Sequence, residues 1–247
     1  AGAAKHRINK KWPIKNFARL IECLSKIGIK SILLGGKEEF NNFDNIIKSV
    51  KKELGLIEKA TKKRFGDQKS PLLISIRSGA RISMPGMMDT ILNLDINDSI
   101  AQGLALEMGD LRTALDAHRR FLQIYADVVM EVESGVFEKI LSHHKESAGV
   151  AQDHELTPES LNDVITDFKS AIRQATGSDV PTDPWDQLLH ATEAVFRSWT
   201  NPRAIFYRNH NGIDHNMGTA VTIMAMVFGN LGPTSGTGVL FTRKPAT

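Results

Sequence analysis

The residues best suited to chemistry lie in one run, 71–98, where an apolar segment leads into a loop of small and cationic side chains. Arg77 and Arg81 place two guanidinium groups in this loop. A guanidinium group offers a fixed fork of hydrogen-bond donors to phosphate oxygens, and small residues let backbone N–H groups approach the same anion. The loop is therefore typical of a polyphosphate site. The alternative is a surface turn with incidental charge.

Methionines follow the basic loop and surround a Pro-Gly turn. Met84, Met87 and Met88 all lie within this short stretch. Methionine side chains adapt their shape to the surface they contact. We therefore expect them to form an apolar wall suited to a flat base.

Two kinds of element must hold this loop in place. The apolar segment 72–76 reads as an interior strand that ends at Arg77. The segment 48–69 reads as a helix with Leu54 and Ile57 on its apolar side. The strand would place the loop at its end.

Downstream, the pattern is helical from 98 to 182. Thr157 and Asp183, each followed by proline, read as the caps of two helices, and Gly177 as the end of the first. The pattern then favours strands at 204–207, 219–228 and 238–242. Helices inserted between strand segments predict an α+β fold.

Composition limits the classes of protein that fit. The chain has 247 residues, a hydrophobic fraction of 41% and a net charge of +3, which is enough for a packed core. Residues 1–69 carry 17 Lys and Arg against 7 Asp and Glu. These charges alternate with apolar residues at helical spacing, so we predict a solvated face and neither a nucleic-acid nor a membrane partner. The single cysteine, Cys23, favours the cytoplasm.

The motifs in this chain resemble those of the pyruvate phosphate dikinase family. The stretch SIRSGARISMPGMMDT carries the first resemblance, and VFRSWTNPRAIFYR, GTAVTIMAMVFGN and SGTGVLFTRKPAT carry the second. Together they cover about residues 50 to 247. The resemblance implies an ATP-grasp nucleotide-binding fold, incomplete here, formed by 49–97 and 183–247 with a helical insertion at 98–182.

The resemblance also implies a reaction. The full enzyme would interconvert ATP, pyruvate and phosphate with AMP, phosphoenolpyruvate and diphosphate. ATP, with Mg²⁺, would phosphorylate a histidine on a separate swivelling domain, and the enzyme would form a homodimer. The family's metal ligands are expected beyond Thr247, so we predict no metal ligands in this chain and an ATP-binding fragment with little catalysis of its own.

The resemblance also implies roles for individual residues of this chain, where they match the family's motifs. Arg77 would bind the ATP phosphates and act in catalysis. The resemblance assigns nucleotide binding to the following residues of the two matching regions: Arg77, Ser78, Gly79, Met84, Gly86, Met87, Asp89, Thr90 and Arg243. Asp89 has a second interpretation, a helix N-cap ahead of Ile91 and Leu92. A metal site at His210, Asp214 and His215 is the less favoured interpretation of a polar loop between two strands.

Residues 1–48 differ from the rest. This segment resembles part of bacterial heptosyltransferases, with a helix, a strand and a Gly-Gly turn, and it reads as an atypical βα unit foreign to the family. Lys37 follows that turn and is a candidate for the ATP-contacting lysine. Two other functions stay open: a sugar-nucleotide-binding glycosyltransferase fragment, and a non-catalytic helical interaction module.

Overall fold

The computed structural model describes residues 43–230 and 234–238. Over these residues the order of elements is α1, β1, β2, α2 to α7 and β3. The helices are α1 (Phe43–Thr61), α2 (Asp98–Met108), α3 (Leu111–Val128), α4 (Ser134–Ala148), α5 (Pro158–Thr176), α6 (Pro184–Arg197) and α7 (Pro202–His210). The strands are β1 (Ile74–Ser78), β2 (Thr90–Leu94) and β3 (Val221–Ala225). Helices beside a small antiparallel sheet confirm the α+β prediction.

The sheet has the order β2-β1-β3, and both neighbours run antiparallel to β1. Successive side chains of a strand point to opposite faces. Ile76 pairs with Ile91 and Ile223, and all three are buried in the core. Arg77 follows Ile76 in β1, so its side chain lies on the opposite face of the sheet.

One continuous core joins the sheet to the helices. The central helix α3 contributes Phe121, Leu122 and Tyr125, which are almost completely buried. Residues of α5 and α6 belong to the same core. The segment 98–182 is helical apart from its connections, as predicted. Of its helices, α3 packs against the sheet at β2, and α2 and α5 pack against α3.

The predicted helix caps are confirmed. The side chain of Thr157 accepts a hydrogen bond from the Ser160 backbone N–H, and Pro158 follows it at the first helical position. Gly177 ends the same helix in a left-handed conformation. Asp183 caps α6 by accepting from the backbone N–H groups of Trp185 and Asp186. Local side-chain chemistry is sufficient to fix these boundaries.

Several predicted elements differ from the structure. The predicted strand at 204–207 is wrong, because these residues lie in α7. Pro202 supplies the first helical position, and Ala204 and Arg208 are buried one turn apart on the same side. The helix predicted for 48–69 ends at Thr61. Of the segment 238–242, only Gly238 lies within the described residues, and it has no regular structure.

None of the described helices is long and apolar enough to cross a membrane.

A buried polar network closes the end of β2. Asp95 has a positive φ of 90° and is almost fully buried. Its Oδ2 accepts a hydrogen bond from the Gly66 N–H at 2.6 Å, and its own N–H donates to Gln187 Oε1 at 3.0 Å. Its Oδ1 has no hydrogen-bond partner. Burial therefore raises the pKa of Asp95 to about 7, mainly through loss of solvation.

We expect Asp95→Asn to change the pH dependence of stability. A carboxyl group whose pKa is raised on folding stabilises the folded state when protonated, so its contribution falls as pH rises from about 4 to about 7. The difference in unfolding free energy between the variant and the wild type should grow across this window, by up to about 1.4 kcal/mol per pH unit. Urea denaturation at several pH values measures it. A constant difference would contradict the assignment.

The wild type alone would hide this effect. Burial lowers the pKa of His118 to about 4, so its contribution to stability rises with pH between about 4 and 6.5. The two groups therefore oppose each other over most of the same window. Only the comparison of variant and wild type separates them.

Candidate functional site

Arg77 lies at the centre of the exposed face of the sheet. It pairs with Thr90 of β2 on one side and with Thr222 of β3 on the other. Directly paired residues lie on the same face, so the Arg77 side chain leaves the sheet between the side chains of two threonines. The neighbouring row of three isoleucines fixes this orientation, because reversing it would expose the isoleucines to water.

A cleft of about 540 Å³ opens over this row. Arg77 and Arg81 are its cationic lining residues, and both are exposed. Five of the residues predicted to bind nucleotide line it together: Arg77, Ser78, Met84, Gly86 and Thr90. The cleft combines two guanidinium groups, several hydroxyl groups and an apolar edge formed by Met84 and Met88.

Gly79 lies beside the cleft and outside its lining. Its N–H donates to the Ala220 carbonyl at 2.7 Å, which extends the contact between the ends of β1 and β3. A Cβ at this position would lie 3.1 Å from Thr222 Oγ1. The glycine therefore allows the close approach of the two chain segments, and its N–H is already used.

Asp89 and Met87 also lie outside the cleft lining and face the junction of α6 and α7. Asp89 Oδ1 accepts a hydrogen bond from the Arg203 guanidinium group. Its Oδ2 accepts from Asn201 Nδ2 at 2.9 Å. Arg203 Nε also donates to the Met87 carbonyl at 3.2 Å. These bonds attach the end of the methionine loop, 84–89, to the two helices.

The N-cap interpretation of Asp89 is wrong, because the residues after it form strand β2 and not a helix. The backbone N–H of Asp89 instead donates to Ser198 Oγ at 3.2 Å. The backbone N–H and the carboxylate of Asp89 therefore both bond to the junction of α6 and α7. In this structure Asp89 positions the loop, and its carboxylate is already engaged by a cation and an amide.

We expect Asp89→Ala to lower the free energy of unfolding by about 1–2 kcal/mol, because it removes hydrogen bonds between a largely buried carboxylate and two donors. Urea denaturation measures this change. Asp167→Ala is the matched control, since Asp167 contacts His144 at the surface and exposed pairs contribute little. Equal losses in both variants would contradict the anchoring role.

The methionines pack more than the sequence suggests. Met84 is buried with Trp199 and Ile213, and Met87 and Met88 pack against this small cluster. Arg208, itself buried, stacks over the Trp199 ring at 4.0 Å from its centroid and donates to the Trp199 carbonyl at 2.6 Å. The apolar edge of the cleft is thus supported from below by a buried cation and an aromatic ring.

The interpretation of the segment around His210, Asp214 and His215 as a polar loop between two strands is wrong in part. The element before it is α7, which includes His210, and His215 begins a short 3-10 turn, His215–Met217. His215 Nδ1 accepts from Arg208 Nε at 2.9 Å, and its Nε2 lies 2.8 Å from Asn209 Oδ1. Both ring nitrogens are therefore engaged. Within the described part of the chain, no group of three or more His, Cys, Asp or Glu residues is arranged to hold a metal.

Two predicted site residues, Lys37 and Arg243, lie outside the described residues. Sequence reasoning missed Thr222 and Arg203. Thr222 reaches the site only because β3 pairs with β1, and its sequence carries no mark of that register. Arg203 follows an Asn-Pro pair at a helix start, and only the tertiary contact with Asp89 distinguishes it from a surface arginine.

Comparison with known proteins identifies the relatives of this arrangement. Residues 43–247 match the family described as pyruvate phosphate dikinase, AMP/ATP-binding domain. The chain is 54% identical over 192 residues to a pyruvate, phosphate dikinase of Clostridium symbiosum, which covers 77% of this chain and 22% of that protein. It is 50% identical over 204 residues to the enzyme of that name from Rhizobium meliloti, covering 83% and 23%.

A protein of the same name from Giardia intestinalis is 50% identical over 198 residues, or 80% of this chain and 22% of that protein. The chain therefore spans less than a quarter of the length of these relatives. Residues 1–42, which include most of the segment predicted to be foreign, lie outside the family match. The comparisons give no support to the sugar-nucleotide alternative. The match over 43–247 covers most of the chain, and the chain belongs to the pyruvate phosphate dikinase family.

Proposed function

We propose that the cleft over β1 binds ATP through its phosphate groups. The observation that carries the proposal is the row formed by Thr90, Arg77 and Thr222, with Arg77 between the two threonines. A guanidinium group donates to two phosphate oxygens at once, and hydroxyl groups accept or donate as the ligand requires. Arg81 adds a second guanidinium group at the edge of the same cleft.

The support beneath the loop favours this function. Asp89, Ser198 and Arg203 hold one end of the methionine loop, and Gly79 holds the basic loop to β3. A site held by its surroundings loses less entropy when it orders around a ligand. Arg77 would then contact phosphate oxygens whose negative charge changes during transfer, which is a catalytic role as well as a binding role.

In this proposal Mg²⁺ reaches the cleft only as a complex with the nucleotide. Mg²⁺ is usually held by one or two carboxylates together with substrate phosphates. The described lining of the cleft contains no Asp or Glu, so these residues do not form a metal site by themselves. We assign no step to the metal.

The wider role follows from the relatives. Proteins named pyruvate, phosphate dikinase match this chain at about half of the aligned positions. We propose that the chain is the ATP-binding part of such an enzyme, a phosphotransferase with an ATP-grasp fold that passes a phosphoryl group to a histidine on another domain and then to pyruvate. A homodimer and a cytoplasmic location belong to the same proposal.

The test is calorimetric titration of the chain with a non-hydrolysable ATP analogue, with and without Mg²⁺. We expect one saturable site for the analogue and weaker binding of a nucleotide sugar. A preference for the nucleotide sugar would overturn the proposal in favour of a glycosyltransferase fragment. Absence of any nucleotide binding, in a chain that unfolds cooperatively and forms a stable oligomer, would overturn it in favour of an interaction module.

A further inference from the structure

The two halves of the cleft over β1 are held by different parts of the fold. Its basic half, with Arg77 and Ser78, lies on β1, which is hydrogen-bonded to β2 and to β3. Its apolar half is the edge formed by Met84 and Met88 of the methionine loop, which lie outside the strands. The sheet therefore holds the basic half, whereas the apolar half needs a support of its own.

Helix α7 supplies this support at the start of the methionine loop. Met84 is buried with Trp199 and Ile213 in a small cluster. Arg208 of α7 stacks over the Trp199 ring and donates to the Trp199 carbonyl, and Tyr207 packs against the same cluster. These contacts belong to a packed interior, so replacing one of these residues would disturb the fold together with the cleft.

Arg203 of the same helix holds the other end of the loop. Its guanidinium group donates to the Asp89 carboxylate, and its Nε donates to the Met87 carbonyl at 3.2 Å. Between these two residues, the sulfur of Met88 accepts a weak hydrogen bond from Ser198 Oγ at 3.9 Å. One arginine thus bonds to the residues on both sides of Met88, the one that lines the cleft.

The Arg203 side chain is placed to position the loop without contacting a ligand. It does not belong to the lining of the cleft, and it is 52% exposed. An exposed ion pair contributes little to global stability. Its partner Asp89 keeps two further bonds, to Asn201 Nδ2 and to Ser198 Oγ. Loss of the arginine therefore loosens the loop around Met88 without removing a residue of the core.

We propose that Arg203 is a positioning residue that sets the preference of the cleft for a nucleotide over an inorganic polyphosphate. By fixing the residues on both sides of Met88, it keeps the apolar edge where the base of a nucleotide would contact it. This role rests on the proposed function, because it takes ATP as the ligand of the cleft. Inorganic tripolyphosphate has the phosphate chain of ATP and no base, so it would contact the basic half alone.

The experiment compares a non-hydrolysable ATP analogue with inorganic tripolyphosphate. Each is titrated calorimetrically into the chain without Mg²⁺, so that chelation of the metal does not enter the comparison. We expect the wild type to prefer the analogue. Arg203→Ala should weaken binding of the analogue by about three- to tenfold, the effect of about one hydrogen bond, and change binding of tripolyphosphate by less than about twofold. Arg203→Lys keeps the charge without the planar fork and should recover part of the preference.

Arg197→Ala is the matched control. Arg197 belongs to the neighbouring helix α6, is 47% exposed, and pairs with Glu131 at 3.4 Å. Its replacement should leave the affinities for both probes unchanged. Arg77→Ala, by contrast, should weaken binding of both probes, because Arg77 lies in the basic half that they share.

The outcomes separate this role from the proposed function. A wild type that does not bind the analogue would overturn the proposed function and this role with it. A wild type that binds the analogue would overturn the role of Arg203 alone in either of two cases: it shows no preference over tripolyphosphate, or Arg203→Ala leaves that preference unchanged. Thermal unfolding shows whether each variant is folded. Where Arg203→Ala folds poorly, the smaller loss of preference expected in Arg203→Lys decides the question.

Discussion

Replacing Arg77 by alanine is expected to weaken binding of a non-hydrolysable ATP analogue by about 10- to 100-fold. This is the range for losing hydrogen bonds to a charged group, about 1.5–3 kcal/mol. The side chain is exposed at the centre of the sheet, between Thr90 and Thr222. Its removal leaves Arg81 as the remaining arginine in the described lining of the cleft.

Stability should change far less than affinity. Ile76 and Ile74 hold β1 in the core, and neither contact depends on the exposed face. We therefore expect the fold to survive Arg77→Ala, so that calorimetry reports binding alone. Arg77→Lys should give an intermediate affinity, because lysine keeps the charge and loses the planar fork of donors.

The matched control is Arg120→Ala. Arg120 is an exposed arginine on α3 that contacts Asp116 and does not line the cleft. Its replacement should leave affinity for the ATP analogue unchanged. Equal weakening in the two variants would show that general positive charge, and not the position of Arg77, attracts the nucleotide.

The sequence predicted Arg77 in the loop after a strand at 72–76, whereas Arg77 lies inside β1 (Ile74–Ser78). Its direction nevertheless follows from a local rule. Alternation along 74–78 sends the isoleucines inward and the arginine outward. The caps at Thr157 and Asp183 were predictable for the same reason, since each side chain bonds to a backbone group three or fewer residues away. Such local patterns can be recognised in the sequence without knowledge of the tertiary structure.

The predictions that were wrong concern residues whose structure depends on contacts distant in sequence. The segment 204–207 has strand-like residues, yet the structure makes it part of a helix whose Phe206 is 73% exposed. Asp89 reads locally as a cap, but its partners Asn201 and Arg203 lie more than a hundred residues later. Propensity is a weak prior, and tertiary context decides such cases. The bonds that anchor the methionine loop to 198–203 are therefore invisible before the fold is known.

Replacing Gly103 by alanine should have the largest effect on stability. Gly103 lies in α2, and a Cβ built there would fall 1.5 Å from the Gln68 carbonyl oxygen and 2.7 Å from the Gln68 carbonyl carbon. Both are backbone atoms, so no side chain can rotate away. The loop that contains Gln68 is also held by the bond between the Gly66 N–H and Asp95. Either the helix or this loop must move.

We expect Gly103→Ala to cost about 3 kcal/mol, the upper end for overpacking, and to lower the melting temperature by about 10 °C. Gly55→Ala in α1 is the matched control, because the nearest atom to its Cβ would be Glu58 Oε2 at 4.0 Å. That change should stabilise the chain by up to about 1 kcal/mol through helix propensity. Opposite signs in the two variants would show that close packing of α2 on the 66–68 loop, and not helix propensity, requires glycine at 103; a stabilised Gly103→Ala variant would contradict that packing.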